Sequence, residues 1–188
     1  MKTASALGGF SLVEVLVALA VLSIGMLGVA ALQINGVRAN TGAYLRGQAV
    51  MISTDMSERM YANRTGTQQF RYDGFAFSPG DACPVSASIC SVQIGNTGTP
   101  AACSPEQMAA YDRYVVACGM SNGGGDLLGG VDDLLPNGAI TITCPVAPET
   151  TCTSGASRRV TVSWQERVET STGTAELATQ TVGITIRP

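Results

Sequence analysis

The sequence predicts an α+β fold in which a long N-terminal α-helix packs against a C-terminal antiparallel β-sheet with disulfide-bonded loops. Three observations carry this prediction: a long uncharged apolar run near the N-terminus, six cysteines beyond it, and three segments of alternating β-branched residues near the C-terminus. Alternation of apolar and polar residues is typical of a half-buried strand. An even set of cysteines in a small, loop-rich domain is typical of a disulfide framework and of an oxidising compartment.

The composition argues against several classes of function. The 188 residues suffice for one globular domain and a separate N-terminal element. The 11 basic residues form neither a tail nor a stripe on a chain of net charge −3, so we expect no nucleic-acid partner. Histidine, the commonest general base and metal ligand, is absent. We therefore expect no enzymatic activity, no metal and no cofactor.

The apolar run predicts a membrane-spanning helix. No charged residue lies from Val15 to Val37, and this stretch exceeds the roughly 20 residues that a bilayer core of about 30 Å requires. The apolar part of a cleaved secretory signal is shorter, at about 7–15 residues. Lys2 and the amino terminus carry positive charge ahead of the run, which predicts a cytoplasmic N-terminus and a periplasmic body.

The helical pattern continues past the membrane segment. Between residues 38 and 63, apolar residues recur at spacings of three and four, as on one face of a helix; they are Leu45, Ala49, Ile52, Met56 and Met60. A helix from Leu12 to Ala62 would be about 75 Å long, with its first half in the bilayer and its second half in the soluble domain. Asn63 and Gly66 supply a stop signal.

Glu14 is a carboxylate at the start of this apolar helix. A charged side chain costs about 2.5–3.5 kcal/mol at the bilayer centre and less near an interface, so Glu14 is either a boundary residue in the headgroup layer or a functional group with a cationic partner. Glycine at position 9 allows an extended backbone at a cleavage site. A cut between Gly9 and Phe10 would give Phe10 a cationic amine. In a bundle of parallel helices, the Glu14 of one chain could then meet the amine of its neighbour.

The cysteines favour disulfides over a zinc site, because no Cys-x-x-Cys pair occurs and no histidine can complete a mixed site. They are Cys83, Cys90, Cys103, Cys118, Cys144 and Cys152. The last two bracket a short loop between predicted strands, which favours a local bridge between them.

The pairing of the other four cysteines depends on a predicted helix. Ser104, Pro105 and Gln107 are typical of a helix start with a capping box, and a helix to Ala117 would separate Cys103 from Cys118 by about 22 Å. That separation excludes a disulfide between them. Two connectivities remain open: Cys83–Cys103 with Cys90–Cys118, or Cys83–Cys118 with Cys90–Cys103.

The rest of the chain is assigned by local pattern. Residues 64–103 lack periodicity and are expected to form an irregular, surface-exposed connection. Three strands are predicted at Ala139–Cys144, Arg159–Gln165 and Leu177–Ile186. Two groups of side chains could suggest metal binding. The methionines Met51, Met56 and Met60 are interpreted as core residues. The acidic residues Asp126, Asp132 and Asp133 are interpreted as part of a solvated turn.

The segment "GGFSLVEVLVALAVLSIGMLG" resembles the class III signal of type IV pilins and of type II secretion pseudopilins. The resemblance implies a type IV pilin fold, cleavage between Gly9 and Phe10 by a prepilin peptidase, and N-methylation of Phe10. It also implies that Glu14 is the assembly carboxylate. Major pilins commonly have a proline midway along this helix, and this chain has none there.

Three further segments resemble PilV-type minor pilins: "YLRGQAVMISTDMSERMYANRTG", "AAYDRY" and "LPNGAITIT" with "VTVSWQE". The matching positions are Asp55, Arg59, Met60, Asn63, Leu135, Pro136, Gly138 and Trp164. The resemblance covers both ends of the chain and is weak between residues 65 and 103, so no function is carried onto that stretch.

These observations predict four segments: a leader (1–9), a hydrophobic transmembrane and assembly helix (10–37), its amphipathic continuation (38–63) and a periplasmic globular domain (64–188). The favoured function is a minor pilin that helps prime pilus assembly and enters the fibre near its tip. The implied partners are the prepilin peptidase, the inner membrane, other minor pilins, the major pilin and a tip adhesin. A type II secretion minor pseudopilin is the first alternative, and a membrane-tethered periplasmic binding domain is the second.

Overall fold

The structure is a computed structural model that describes residues 11–84, 89–91, 102–121, 127–145, 152–153, 155–169 and 174–187. The predicted leader and the Gly9–Phe10 junction lie outside the described residues. The chain divides into two compact units, Met1–Ala43 and Tyr44–Pro188. In chain order, the elements are α1 (Leu12–Ala62), α2 (Arg64–Gln68), β1 (Ala76–Phe77), α3 (Pro105–Cys118), β2 (Gly119–Ser121), β3 (Leu127–Gly129), α4 (Val131–Leu134), β4 (Ala139–Thr143), β5 (Arg158–Glu169) and β6 (Ala175–Ile186).

The first unit consists, in its described part, of the beginning of α1. Its residues from 11 to 41 are all exposed, and an 18-residue window has a mean hydropathy of 2.7 with none of its residues buried. The hydroxyl of Ser23 donates to the carbonyl of Leu19 at 2.7 Å, so this polar group is satisfied inside the helix. Among the described residues, α1 is the one helix long and apolar enough to cross a membrane.

The second unit contains the end of α1, which buries the predicted apolar face. Ala49, Ile52, Met56 and Met60 are at most 6% exposed, and Leu45 packs against them half-buried. Met51 is 63% exposed, so its assignment to the core was wrong. It lies five residues before Met56, a helical rotation of about 140° that places the two side chains on different faces.

Asn63 is the single residue between α1 and α2 and is the N-cap of α2. Its backbone leaves the helical region at φ −98° and ψ 57°, and its side-chain oxygen accepts a hydrogen bond from the N–H of Gly66. Gly66 itself lies inside α2, so its prediction as a stop signal was wrong. One residue thus closes the first helix and caps the second.

The main sheet has four antiparallel strands in the order β1-β4-β5-β6. The three predicted strands are confirmed, although β5 and β6 each run for 12 residues and are longer than expected. Ile140 pairs with Val162, and Val162 with Val182, so the apolar side chains share the core face.

The helix α3 begins with the predicted capping box. The Ser104 hydroxyl accepts from the N–H of Gln107 at 3.2 Å, and the Gln107 side chain accepts from the N–H of Ser104 at 2.8 Å. The strands β2 and β3 then form a separate antiparallel ribbon that the sequence did not predict. Asp132 and Asp133 lie in the first turn of α4 and are exposed, while Asp126 lies outside the described residues.

The expectation of a surface-exposed connection from residue 64 was wrong for its first part. Tyr72, Phe75 and Phe77 are 0%, 8% and 2% exposed and belong to the hydrophobic core. Phe77 lies in β1, which pairs with β4. These three aromatic side chains bury large apolar areas in the core, whereas Phe70 in the same segment is 37% exposed.

Three disulfides connect the loops of the second unit: Cys83–Cys118, Cys90–Cys103 and Cys144–Cys152. The local bridge between Cys144 and Cys152 is present, and Cys103 does not pair with Cys118. Of the two connectivities left open, the structure has the second. The bridge from Cys83 reaches the last residue of α3 and so fastens the loop after β1 to that helix.

Candidate assembly site

Glu14 lies in the first turn of α1. Its N–H donates to the carbonyl of Ser11 at 3.0 Å, and the N–H of Val15 donates to the same carbonyl at 3.3 Å. Helix N-termini carry partial positive charge, which favours a carboxylate in this turn. The Glu14 side chain is exposed, and its neighbours Val13 and Val15 are 65% and 49% exposed. The carboxylate is therefore accessible to a cation from outside the helix.

Apolar side chains surround this carboxylate and remain uncovered in the described part of the first unit. They include Leu12, Leu16, Val17, Leu19 and Leu22, each more than half exposed. A contiguous apolar surface of this kind is rare on a soluble monomer and indicates contact with lipid or with other helices. Gly25 and Gly28 have no side chain on this surface, and such small residues allow another helix to approach closely.

A polar cluster, here called the helix-end cluster, lies where α1 ends in the second unit; its members are Arg59, Asn63, Tyr72 and Asp112. The Arg59 guanidinium donates to Asp112 at 3.2 Å and to the exposed carboxylate of Asp55 at 2.9 Å. Tyr72 donates its hydroxyl to the other oxygen of Asp112 at 2.5 Å. The cluster joins the end of α1 to α3 and to the loop after α2.

Asn63 completes the helix-end cluster. Its side-chain amide donates to the Tyr72 hydroxyl at 3.0 Å and to the carbonyl of Pro105 at 2.7 Å. Because its oxygen also caps α2, this single side chain contacts three parts of the fold. These contacts give a structural role to Asp55, Arg59 and Asn63, three of the positions at the end of α1 that resemble PilV-type minor pilins. The sequence reasoning missed Tyr72 and Asp112 as partners, although Asp112 lies in the quoted segment "AAYDRY".

Burial is the largest influence on the pKa values of Asp112 and Tyr72 in the helix-end cluster. It raises the pKa of Asp112 above its ordinary value of 3.8, against the hydrogen bond from Tyr72 and the charge of Arg59. Burial and the neighbouring Asp112 carboxylate also raise the pKa of Tyr72. Burial alone would lower the pKa of Arg59, but Asp55 and Asp112 outweigh it and raise that pKa. Arg59 therefore remains a cation, and Tyr72 remains a neutral donor.

A second buried polar group lies at the start of β5. Arg158 donates its Nε to Asp73 at 2.7 Å, and the backbone N–H of Cys152 donates to the same carboxylate at 3.0 Å. The Asp73, Cys144 and Cys152 side chains are close enough to hold a metal ion. Both sulfurs belong to one disulfide and the carboxylate is bonded to Arg158, so this group is not suited to coordination. Nothing in the sequence indicated this pair, because Asp73 and Arg158 are 85 residues apart and no local pattern relates them.

The turn from Leu135 to Gly138 connects α4 to the sheet. The Pro136 carbonyl accepts from the N–H of Gln165, and Asn137 donates its side-chain amide to the Gln165 side chain at 2.8 Å. Leu135 and Trp164 are 2% and 3% exposed in the core. A Cβ atom at Gly138 would collide with the carbonyl of Val131, which requires glycine at this position.

Comparison with known families gives two matches. Residues 31–114 match the family model described as type IV pilin Tt1218, and residues 8–30 match the prokaryotic N-terminal methylation motif. The matched segments are similar to type IV pilin sequences. Together with the long apolar helix, the antiparallel sheet and the three disulfides, they are consistent with the type IV pilin fold and support a pilin structural subunit. No curated protein and no solved structure matches the chain.

Proposed function

We propose that this chain is a type IV pilin and, within that family, a minor pilin of the PilV type, a non-enzymatic subunit that helps prime pilus assembly and enters the fibre near its tip. The proposal assigns residues 1–9 to a leader that a prepilin peptidase removes, 10–37 to the membrane and assembly helix, 38–63 to its continuation, and 64–188 to the periplasmic domain. The mature chain begins at Phe10, which is N-methylated. Its partners are the major pilin, other minor pilins and a tip adhesin.

One observation supports this function most directly. The α1 helix presents an uncovered apolar surface with one carboxylate, Glu14, in its first turn. Lipid and neighbouring helices solvate the apolar surface about equally well, so apolar burial alone gives little preference for a bundle. A cationic Phe10 amine on a neighbouring chain gives the Glu14 carboxylate a partner that lipid lacks. The ion pair then both favours the bundle and sets the offset between adjacent chains.

The proposed membrane orientation rests on the positive charge of Lys2 and the amino terminus ahead of this helix. Before assembly, the first part of α1, up to residue 37, spans the inner membrane with the N-terminus in the cytoplasm and the disulfide-bonded unit in the periplasm. The three disulfides support the oxidising location, since such bonds form and persist outside the cytoplasm. During assembly the helix moves from lipid into the fibre.

The decisive experiment replaces Glu14 by alanine in the cell that makes the fibre. We expect normal membrane insertion and normal cleavage at Gly9–Phe10, with reduced recovery of the variant in sheared fibres. Glu14→Gln is the matched variant, because it keeps the size of the side chain and removes only the charge. Ser11→Ala changes the same turn without removing a carboxylate and serves as the control. Recovery of both Glu14 variants at the level of the unaltered protein would contradict the assembly role.

Processing is tested separately by mass spectrometry of the isolated protein. We expect a mature chain that begins at Phe10 and carries one additional methyl group. Replacement of Gly9 by leucine should leave the uncut precursor, with a mass higher by that of the leader. Purification with type II secretion components and without pilus components would instead assign the chain to a pseudopilus.

A further inference from the structure

The two edges of the main sheet differ in length. At one edge, β1 has two residues and is followed by a turn in which Asp81 accepts from the N–H of Ser78. At the other edge, β6 pairs with β5 in 12 consecutive residue pairs without a bulge. Among the described residues, no strand pairs with the outer edge of β6.

From Leu177 onward, the β6 edge lacks the features that usually block strand pairing. Proteins protect exposed edges with charged side chains, prolines, bulges or very short strands. From Leu177 to Ile186 the strand has neither a charged residue nor a proline. Its core-facing row is only half-covered at Val182 and Ile184, whereas Val160 and Val162 on β5 are fully buried. An added strand would complete the burial of this row.

A cation extends toward this edge. The Arg159 side chain, on β5, lies across Gly183 of β6, where a Cβ atom would be 3.0 Å from its Nε. Arg159 is exposed, and no ion-pair partner for it occurs among the described residues. The outer row of β6 beside it consists of Thr179, Thr181, Gly183 and Thr185, all exposed.

We propose that the β6 edge is a docking site for an extended segment of a partner polypeptide, which adds to the sheet as a fifth strand. The segment is apolar at the alternate positions that face the core and small or hydroxyl-bearing at the others. It carries a carboxylate opposite Gly183, where Arg159 meets it. Backbone hydrogen bonds supply most of the affinity, and the two side-chain rows and the ion pair supply the specificity.

The probe is a synthetic 12-residue peptide with the sequence of Ala175–Ile186. This sequence has the required alternation from Thr181 to Ile186, while Gln180 and Leu177 depart from it. We consider an antiparallel arrangement in which Thr181 of the peptide lies opposite Thr181 of the protein. In this register the core-facing rows of the two strands are on the same side of the sheet, and residue 179 of the peptide lies opposite Gly183 of the protein. It also leaves Glu176 at the end of the ladder, opposite Ile186. The binding measurements use the full chain in detergent micelles, so they do not depend on pilus assembly.

Cross-linking tests the edge itself. All six native cysteines are paired, so Thr181→Cys introduces one free thiol. With a peptide that has cysteine at its own position 181, we expect a disulfide with this variant. Thr141→Cys is the control, because Thr141 lies on the inner strand β4, two strands from the edge. Equal cross-linking of the two variants, or none above that of a scrambled peptide, would overturn the proposal.

The ion pair is tested by changing one residue on each side. Peptides with Thr179→Glu and Thr179→Lys are compared by fluorescence anisotropy. We expect the Glu peptide to bind about two- to fivefold more tightly than the Thr peptide, the range for an exposed ion pair, and the Lys peptide to bind more weakly. Arg159→Ala should abolish the difference between the peptides. A preference for Glu that persists in Arg159→Ala would overturn the assigned role of Arg159.

Discussion

Arg158 and Asp73 form an ion pair inside the globular unit, with side chains that are 0% and 3% exposed and an Nε–Oδ1 distance of 2.7 Å. The pair joins the start of β5 to the loop between α2 and β1. Breaking such a pair leaves one buried charge without a partner, which costs far more than loss of an exposed pair. A comparable exposed contact is present between Arg71 and Glu106 at 2.9 Å.

We expect Asp73→Ala to lower the free energy of unfolding by about 3–5 kcal/mol. The matched control, Glu106→Ala, should lower it by about 0–1 kcal/mol because that pair is exposed. Trp164 is the sole tryptophan and is buried in this unit, so its fluorescence reports the transition in denaturant. Equal losses in the two variants would show that Asp73 is not an essential partner of Arg158.

The disulfides should differ in their contributions to stability. Cys83–Cys118 closes a segment with a separation of 35 residues, and Cys144–Cys152 closes one of 8. By loop entropy, replacing both cysteines of the first bridge by alanine should cost about 4 kcal/mol, and replacing those of the second about 2.5 kcal/mol. The measurement is again denaturant unfolding of the full chain. The reverse order would mean that effects other than chain entropy dominate.

Asp112 should give stability a pH dependence of known sign. Because burial raises its pKa, the folded protein binds this proton more tightly than the unfolded chain does. Its contribution to stability is therefore fully present below its ordinary value of 3.8 and falls as the pH rises through the raised folded-state value. The advantage of the unaltered protein over Asp112→Asn should shrink as the pH rises.

The experiment compares the unfolding free energies of the two proteins from about pH 3 to about pH 7. Asp132→Asn is the matched control, since it removes one carboxylate from an exposed position and corrects for the change in net charge. If the advantage of the unaltered protein grew with pH instead, Arg59 and Tyr72 would stabilise the Asp112 carboxylate by more than burial opposes it.

The regular elements could be predicted because their signals are local. The face that carries Ile52 and Met56 repeats at helical spacing, and the capping box of Ser104 and Gln107 needs only four consecutive residues. The strands were identified by alternation, although pairing with β5 extends β6 back to Ala175. An isolated segment does not reveal how far its partner reaches, so strand ends depend on tertiary context.

The polar contacts could not be predicted because their members are distant in sequence. Arg59 meets Asp112 across 53 residues, and Asp73 meets Arg158 across 85. A single sequence offers many arginines and carboxylates for such pairs, and only the assembled fold selects among them. The prediction of the disulfide connectivity was limited in the same way. The length of α3 excluded the pair Cys103–Cys118, and two connectivities remained that only the tertiary structure distinguishes.

Two glycines should respond in opposite directions to replacement by alanine. A Cβ atom at Gly138 would collide with the carbonyl of Val131 and approach Leu135, and backbone atoms cannot easily yield. Gly47 lies on the exposed side of α1, where a Cβ atom would meet nothing within 4 Å. We expect Gly138→Ala to destabilise the globular unit by about 1–3 kcal/mol through overpacking. Gly47→Ala should stabilise α1 by up to about 1 kcal/mol through helix propensity. Both changes in the free energy of unfolding are measured by denaturant unfolding, monitored by the fluorescence of Trp164. If Gly47→Ala lowered the free energy of unfolding, the added methyl group would have to clash with a neighbouring group, contrary to the open space at this position.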